Sequence, residues 1–228
     1  MSHYPGSPEL AASRERSPSQ RLKRSLDVAV SVTILAALWP VLALIALIIR
    51  LDSRGPVIFK QPRVGKDGRI FEMWKFRTMV ADTSDERHRS LVVPLVRAVI
   101  ASDPTAPFPI PPAPPPDSRV TQPGRWLRRT SMDELPQLVN VLRGDLSLVG
   151  PRPAVVYELA EFDDRLRQRL RVPQGMTGLW QVSGHNIFDF RRMYELDLEY
   201  VQTWSLWLDL KILVKTPVAL LVRLDFRE

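Results

Sequence analysis

The sequence predicts an α+β, mostly helical fold with a membrane helix near its start and one β-hairpin. Three observations point there. From Val28 to Ile49 the chain runs 22 residues without a charged side chain. At about 1.5 Å per residue, a helix of that length matches an apolar layer about 30 Å thick. Two strand-like runs, Val57-Ile58-Phe59 and Ile70-Phe71-Glu72-Met73-Trp74-Lys75-Phe76, flank the turn-forming Gly65-Lys66-Asp67-Gly68, the arrangement of a hairpin. Further on, apolar residues recur at helical spacing, as in Leu138, Val139, Val141 and Leu142.

The 228 residues suffice for one domain with a core plus appendages. A hydrophobic content of 45% excludes a wholly disordered chain, and a mean hydropathy of −0.10 excludes a polytopic membrane protein. The net charge of +7 suits nucleic acid, an anionic membrane surface or phosphorylated substrates. There is no cysteine, so disulfides and zinc-thiolate sites are excluded. The three histidines, His3, His88 and His185, show no metal-ligand spacing.

Residues 1–20, rich in Ser, Pro and Arg, read as a disordered tail ahead of a single domain over 21–228. The membrane segment is placed at 26–50. Pro40, after Trp39, removes a helical hydrogen bond in its middle. Basic residues flank both ends: Arg21, Lys23 and Arg24 before, Arg50, Arg54, Lys60 and Arg63 after. By the positive-inside tendency both ends then stay on the cytoplasmic face. Two geometries fit: a re-entrant hairpin of two half-helices bent at Trp39-Pro40, or a single-pass anchor with a proline kink.

In the second strand Lys75 and Arg77 share a face at period two, able to meet phosphates or simply solvated. Ala81 to His88 reads as loop or short helix. Nine prolines between Pro94 and Pro116 argue for an extended loop over 94–116.

Ser131-Met132-Asp133-Glu134-Leu135-Pro136-Gln137 places two adjacent acids between the basic run Arg125-Trp126-Leu127-Arg128-Arg129 and the helical pattern that follows. Either Ser131 and Glu134 form a capping box, or Asp133 is the cap and Pro136 falls in the first turn. Both readings put the acids at a helix start, where anions are favoured. Alone, the pair reads most simply as a capped, solvated helix end. Pro151 and Pro153 restrict Arg152 between them, and a fixed guanidinium suits phosphate. Tyr157 to Leu170 reads as one amphipathic helix, Gly175 to Gly184 as a loop with a short strand, and a helix carrying Tyr194, Asp197 and Tyr200 follows. Trp204 to Lys215 mixes tryptophan, aliphatics and lysine, fitting an interfacial helix or a packed terminal one.

Several of these stretches together resemble one family. They are Lys23-Arg24-Ser25-Leu26-Asp27, Lys75-Phe76-Arg77-Thr78-Met79, Ser131 to Leu138, Asn140-Val141-Leu142-Arg143-Gly144-Asp145, Val149-Gly150-Pro151-Arg152-Pro153, Thr177 to Gly184 and Leu206 to Lys211. Over roughly residues 21–215 the chain resembles the bacterial sugar transferases, small monotopic phosphoglycosyl transferases. The resemblance implies transfer of a sugar-1-phosphate from a UDP-sugar to polyprenyl phosphate, with release of UMP, at the start of glycoconjugate assembly. It places the nucleophilic dyad on Asp133 and Glu134, the phosphate arginine on Arg128, the nucleotide arginine on Arg152 within Pro151 and Pro153, and the break of the re-entrant helix on Pro40. It implies magnesium close to Asp133, a compact catalytic domain with interfacial helices on the cytoplasmic face of the bacterial inner membrane, and contact with membrane lipid. Gln174 and His185 depart from the family pattern in a region expected near substrate. Nucleic acid is not an expected partner, since the apolar run argues against it. A homo-oligomer is left open, and the rival reading is a non-catalytic membrane scaffold.

Overall fold

The structure, a computed structural model, describes residues 17–80, 85–103, 108–109, 111, 115, 117–184 and 189–225. Most of the expected tail, most of the 104–116 stretch, and His185 lie outside the described residues.

Helix α1 spans Pro18–Asp52. Ser17 accepts from the Gln20 amide while the Gln20 side chain accepts from the Ser17 amide, so a reciprocal cap starts the helix well before the apolar run. Pro40 lies inside it, and the helix continues on both sides of that residue. Its inward stripe runs through Asp27, Ser31, Leu35, Leu38, Leu42, Ile45 and Ile49 at helical spacing. The opposite face exposes Leu26, Trp39, Leu44, Leu47 and Leu51.

Strands β1 (Ile58–Val64) and β2 (Ile70–Phe76) form the expected antiparallel hairpin, with Phe59 opposite Lys75, Gln61 opposite Met73 and Arg63 opposite Phe71. The turn uses Asp67 and Gly68 at positive φ. Helix α2 covers Glu86–Ala101 with Pro94 inside it. Residues 94–101 are therefore helical, against the loop expected from their proline. Val92 and Val96 face a buried cluster, and Val99 and Ile100 pack against it. Burial of that stripe outweighs the roughly 3 kcal/mol that an internal proline costs.

Helix α3 (Gln122–Thr130) is capped by Thr121, whose hydroxyl accepts from the Gly124 amide. A 3-10 turn over Met132–Glu134 leads to α4 (Gln137–Arg143), which Gly144 ends at φ 86°. Strand β3 (Ser147–Val149) pairs in parallel with β4 (Gly175–Thr177). Between them the single helix expected over 157–170 is broken into α5 (Val156–Leu159), α6 (Asp164–Arg167) and a 3-10 turn over Gln168–Arg171. The break falls where Asp163 accepts from the Leu166 amide and restarts the helix. Helices α7 (Phe190–Thr203) and α8 (Leu206–Asp225) complete the fold.

One apolar cluster joins α2 to α5, α6 and α7. A second joins the hairpin to α4, β3, α7 and α8. A third packs Ile45 and Ile49 of α1 on Phe76 and Leu127. Met132 packs on the third cluster and Leu135 on the second, so the two acids between them lie where two cores meet.

Candidate active site

Asp133 and Glu134 sit in the 3-10 turn, one step before α4, and neither acid caps that helix. Ser131 is left-handed at φ 56° and makes no side-chain cap. Both expected capping schemes are therefore corrected. Ser131 must reverse the chain after α3, and a residue in that conformation cannot offer the geometry of an N-cap.

The two carboxylates are held differently. Glu134 Oε1 accepts from Lys75 Nζ at 3.1 Å and lies 3.8 Å from Arg152 Nη1. Asp133 forms no ion pair among the described residues. Its burial raises its pKa above the ordinary carboxylate value, and the neighbouring Glu134 raises it further, against the pull of Lys75 and Arg128. Burial lowers the Lys75 pKa, while Glu134 works against that loss. Lys75, Glu134, Gln137, Arg152, Pro153 and Met176 line a cleft.

Local packing fixes each cation. A Cβ on Gly124 would sit 2.1 Å from the Thr78 carbonyl oxygen, so glycine alone lets α3 press against the segment after β2. The Thr121 amide donates to that carbonyl, and Arg128 Nε donates to Thr78 Oγ1 at 2.8 Å. This contact turns Arg128 toward the dyad, where its charge reaches Asp133.

Arg152 is held through its backbone. Gly150 fits where a Cβ would lie 2.3 Å from the Pro173 carbonyl oxygen. The Gly175 amide donates to the Pro151 carbonyl at 2.8 Å. Arg169 Nη2 donates to the Arg152 carbonyl and Arg63 Nη1 to the Pro153 carbonyl, each at 3.0 Å. Arg169 is itself held by Asp197 at 2.6 Å in a fully buried pair.

The hairpin thus brings Lys75 to the dyad but takes Arg77 away from it. Arg77 is buried and donates to the carbonyls of Ser53 and Arg54 and to the Ser53 hydroxyl, tying off the end of α1. The period-two reading failed because Arg77 lies one residue past the strand. Gln174 is fully buried and donates to the carbonyls of Arg169 and Val172. It supports the loop behind Arg152 and does not face the cleft. Trp39 and Pro40 are both exposed on the outer face of α1. Sequence reasoning did not place Arg63, Gln61, Arg169 or Asp197 at the site; their role behind Arg152 and Pro153 is visible only once cross-strand register and the return of α7 are known.

Among the described residues no group of three His, Asp or Glu side chains stands ready for a metal. Asp133 and Glu134 offer oxygen donors only, which fits a magnesium ion completed by water and substrate phosphates.

At the base of the site, α1 is tied to the core. Lys23 Nζ donates to Asp209 Oδ2 at 2.6 Å and to the Val149 carbonyl, and Tyr200 donates to Asp209 Oδ1 at 2.7 Å. Arg24 donates to the carbonyls of Val141 and Leu142 at the end of α4.

The family model described as bacterial sugar transferase matches residues 18–223. The undecaprenyl-phosphate glucose phosphotransferase of Komagataeibacter xylinus is 44% identical over 205 residues, 85% of this chain and 35% of that protein. The undecaprenyl-phosphate galactose phosphotransferase of Salmonella typhimurium is 40% identical over 90% of this chain and 41% of its own length. The chain therefore spans less than half the length of these two relatives. The uncharacterized sugar transferase EpsL of Bacillus subtilis is 37% identical, with 88% of each chain covered. With the match running from the first residue of α1 into α8, and through the dyad, Arg128 and Pro151-Arg152-Pro153 between them, the chain belongs to the bacterial sugar transferase family.

Proposed function

We propose that this protein transfers a sugar-1-phosphate from a UDP-sugar to undecaprenyl phosphate, releasing UMP and starting the assembly of a surface polysaccharide or related glycoconjugate. One observation carries the reading. Lys75 and Arg152 both hold Glu134, while the adjacent, partly desolvated Asp133 has no ion-pair partner among the described residues. A carboxylate in that state is poised to react. The glucose and galactose phosphotransferases among its relatives support a hexose-1-phosphate as the group moved.

In the mechanism, an Asp133 carboxylate oxygen attacks the β-phosphorus of the donor. An Asp133 oxygen–phosphorus bond forms, making an acyl phosphate, the bond from that phosphorus to the oxygen bridging to the α-phosphate breaks, and UMP leaves. An oxygen of undecaprenyl phosphate then attacks the same phosphorus and displaces the aspartate, giving the lipid diphosphate sugar. The acyl phosphate conserves the transfer potential of the bond it replaces. Arg128 and Arg152 offset the repulsion between carboxylate and pyrophosphate. Glu134 keeps Lys75 and Arg152 aligned on the cleft. Magnesium, when bound by Asp133 and Glu134, would supply further charge neutralisation at the phosphates.

The same reading places the catalytic body on the cytoplasmic face of the inner membrane, with α1 re-entrant. Helix α1 is long and apolar enough to cross a membrane. Its start is tied to Asp209 and Val149, and its end to Arg77, Phe76 and Leu127, all parts of one body. Between Ser31 and Ile45, both buried, only about 21 Å of helix separates the two docked ends, less than the roughly 30 Å of hydrocarbon. The exposed apolar residues of α8, Trp207, Leu210, Val214 and Val218, extend the lipid-facing surface.

The test is UMP release from a panel of UDP-sugars with undecaprenyl phosphate and magnesium. The native chain is expected to turn over at least one donor, and Asp133→Asn none. Full activity in the variant, or no turnover of any donor by the native chain, would overturn the mechanism.

A further inference from the structure

Arg63 is a buried cation with no ion-pair partner among the described residues. It lies on the hairpin face that also carries Met73 and Lys75, and it is 7% exposed. Its guanidinium donates from Nε and Nη2 to Gln61 Oε1, at 3.2 and 2.8 Å, and from Nη1 to the Pro153 carbonyl at 3.0 Å. All of these acceptors are neutral. Among the described residues it forms no ion pair. Glu158, the buried acid that acts on it most strongly through space, does not reach ion-pair distance. Arg169, equally buried, has Asp197 for that purpose. Burial and the repulsion of Arg152 lower the Arg63 pKa only to about 10, so the charge persists at neutral pH.

A buried guanidinium whose nearest carboxylates stay beyond ion-pair distance is costly. Arg63 does not line the cleft itself; it stands behind Pro153, which lines it together with Arg152 and Lys75. We propose that Arg63 is a positioning residue for the donor's pyrophosphate: it fixes the Arg152-Pro153 backbone, and its charge, which Glu158 meets only from beyond ion-pair distance, adds to the attraction for the phosphates when the donor binds. This rests on the reading of the cleft as a UDP-sugar site.

The experiment is calorimetric titration of the full chain in lipid nanodiscs with UDP, UMP and uridine, for the native protein, Arg63→Gln and Arg63→Lys. Arg63→Gln is expected to lose about tenfold in UDP affinity, less for UMP, and to leave uridine unchanged, since the lost attraction scales with ligand charge. Arg63→Lys keeps the charge without the contacts to Gln61, and is expected to keep the preference for UDP over uridine. Equal losses for all three ligands, or unaltered UDP binding in Arg63→Gln, would reduce Arg63 to a packing residue. Should Arg63→Gln not fold, loss of the UDP preference in Arg63→Lys overturns the proposal in its place. Failure of the native chain to bind UDP would overturn the donor reading itself, and this inference with it.

Discussion

Asp133 and Glu134 are neighbours in sequence but differ in what surrounds them. Glu134 is paired with Lys75, while Asp133 is raised in pKa by burial and by Glu134. In the proposed mechanism Asp133 attacks only when ionised. Turnover must therefore fall as pH drops through a value above that of a free aspartate. Replacing Glu134 by Gln removes a raising charge, so the acid limb of kcat/KM is expected to move to lower pH. Replacing Lys75 by Met removes a lowering charge, and the limb is expected to move higher. A pH profile of UMP release checks both signs, and shifts in the same direction would contradict the assignment. The same environment costs stability, because the ionised form is disfavoured in the folded chain. As pH falls through the raised value, protonation of Asp133 favours folding. Asp133→Asn is therefore expected to unfold at a higher temperature than the native chain at pH 7 while losing turnover.

Among the elements, α3 depends on Gly124. A methyl group there meets the Thr78 backbone at 2.1 Å, and relief requires α3 to move. Gly124→Ala is expected to cost about 1–3 kcal/mol of stability, and also to lower kcat/KM, because Arg128 is aligned through the same Thr78. Thermal unfolding and kinetics together check it, and a stability loss with native kcat/KM would separate the two roles. Helix α8 depends on Asp209, which accepts from Lys23, Tyr200 and Trp204. Asp209→Ala leaves Lys23 buried without its acid, a change that typically costs about 3–5 kcal/mol. Denaturant unfolding in detergent measures it. The expected loop-forming role of proline was overridden at Pro94, where an apolar stripe through Val92 and Val96 continues across the residue and its packing outweighs one lost hydrogen bond.

For the whole molecule, the membrane geometry is the consequence to test. Native cysteine is absent, so single cysteines at Ser19 and at Asp52 report each end of α1 cleanly. Both are expected to react with a membrane-impermeant thiol reagent from the cytoplasmic face only. Labelling from opposite faces would make α1 a single-pass anchor. In the proposed reaction, docking of both ends of α1 on the body that carries Asp133 would bring a water-soluble donor and a lipid phosphate to one site.

The hairpin, the apolar helix and the two-acid motif could be read from the chain, because period, turn residues and charge-free length are local properties. The family could be read as well, from ordered motifs that recur along most of the chain. Local signals failed where the deciding contact is remote. Lys75 and Arg77 look equivalent by spacing, yet one meets Glu134, 59 residues on, and the other closes the end of α1. The helix expected over 157–170 breaks at Asp163, and Gln174 faces the backbone behind Arg152. The sequence by itself determined the family and which residues are candidates for the chemistry. Only the tertiary structure decided which carboxylate is paired, which arginine faces the cleft and which buried charge lacks an ion pair, because burial and cross-strand register are set by parts of the chain far apart in sequence.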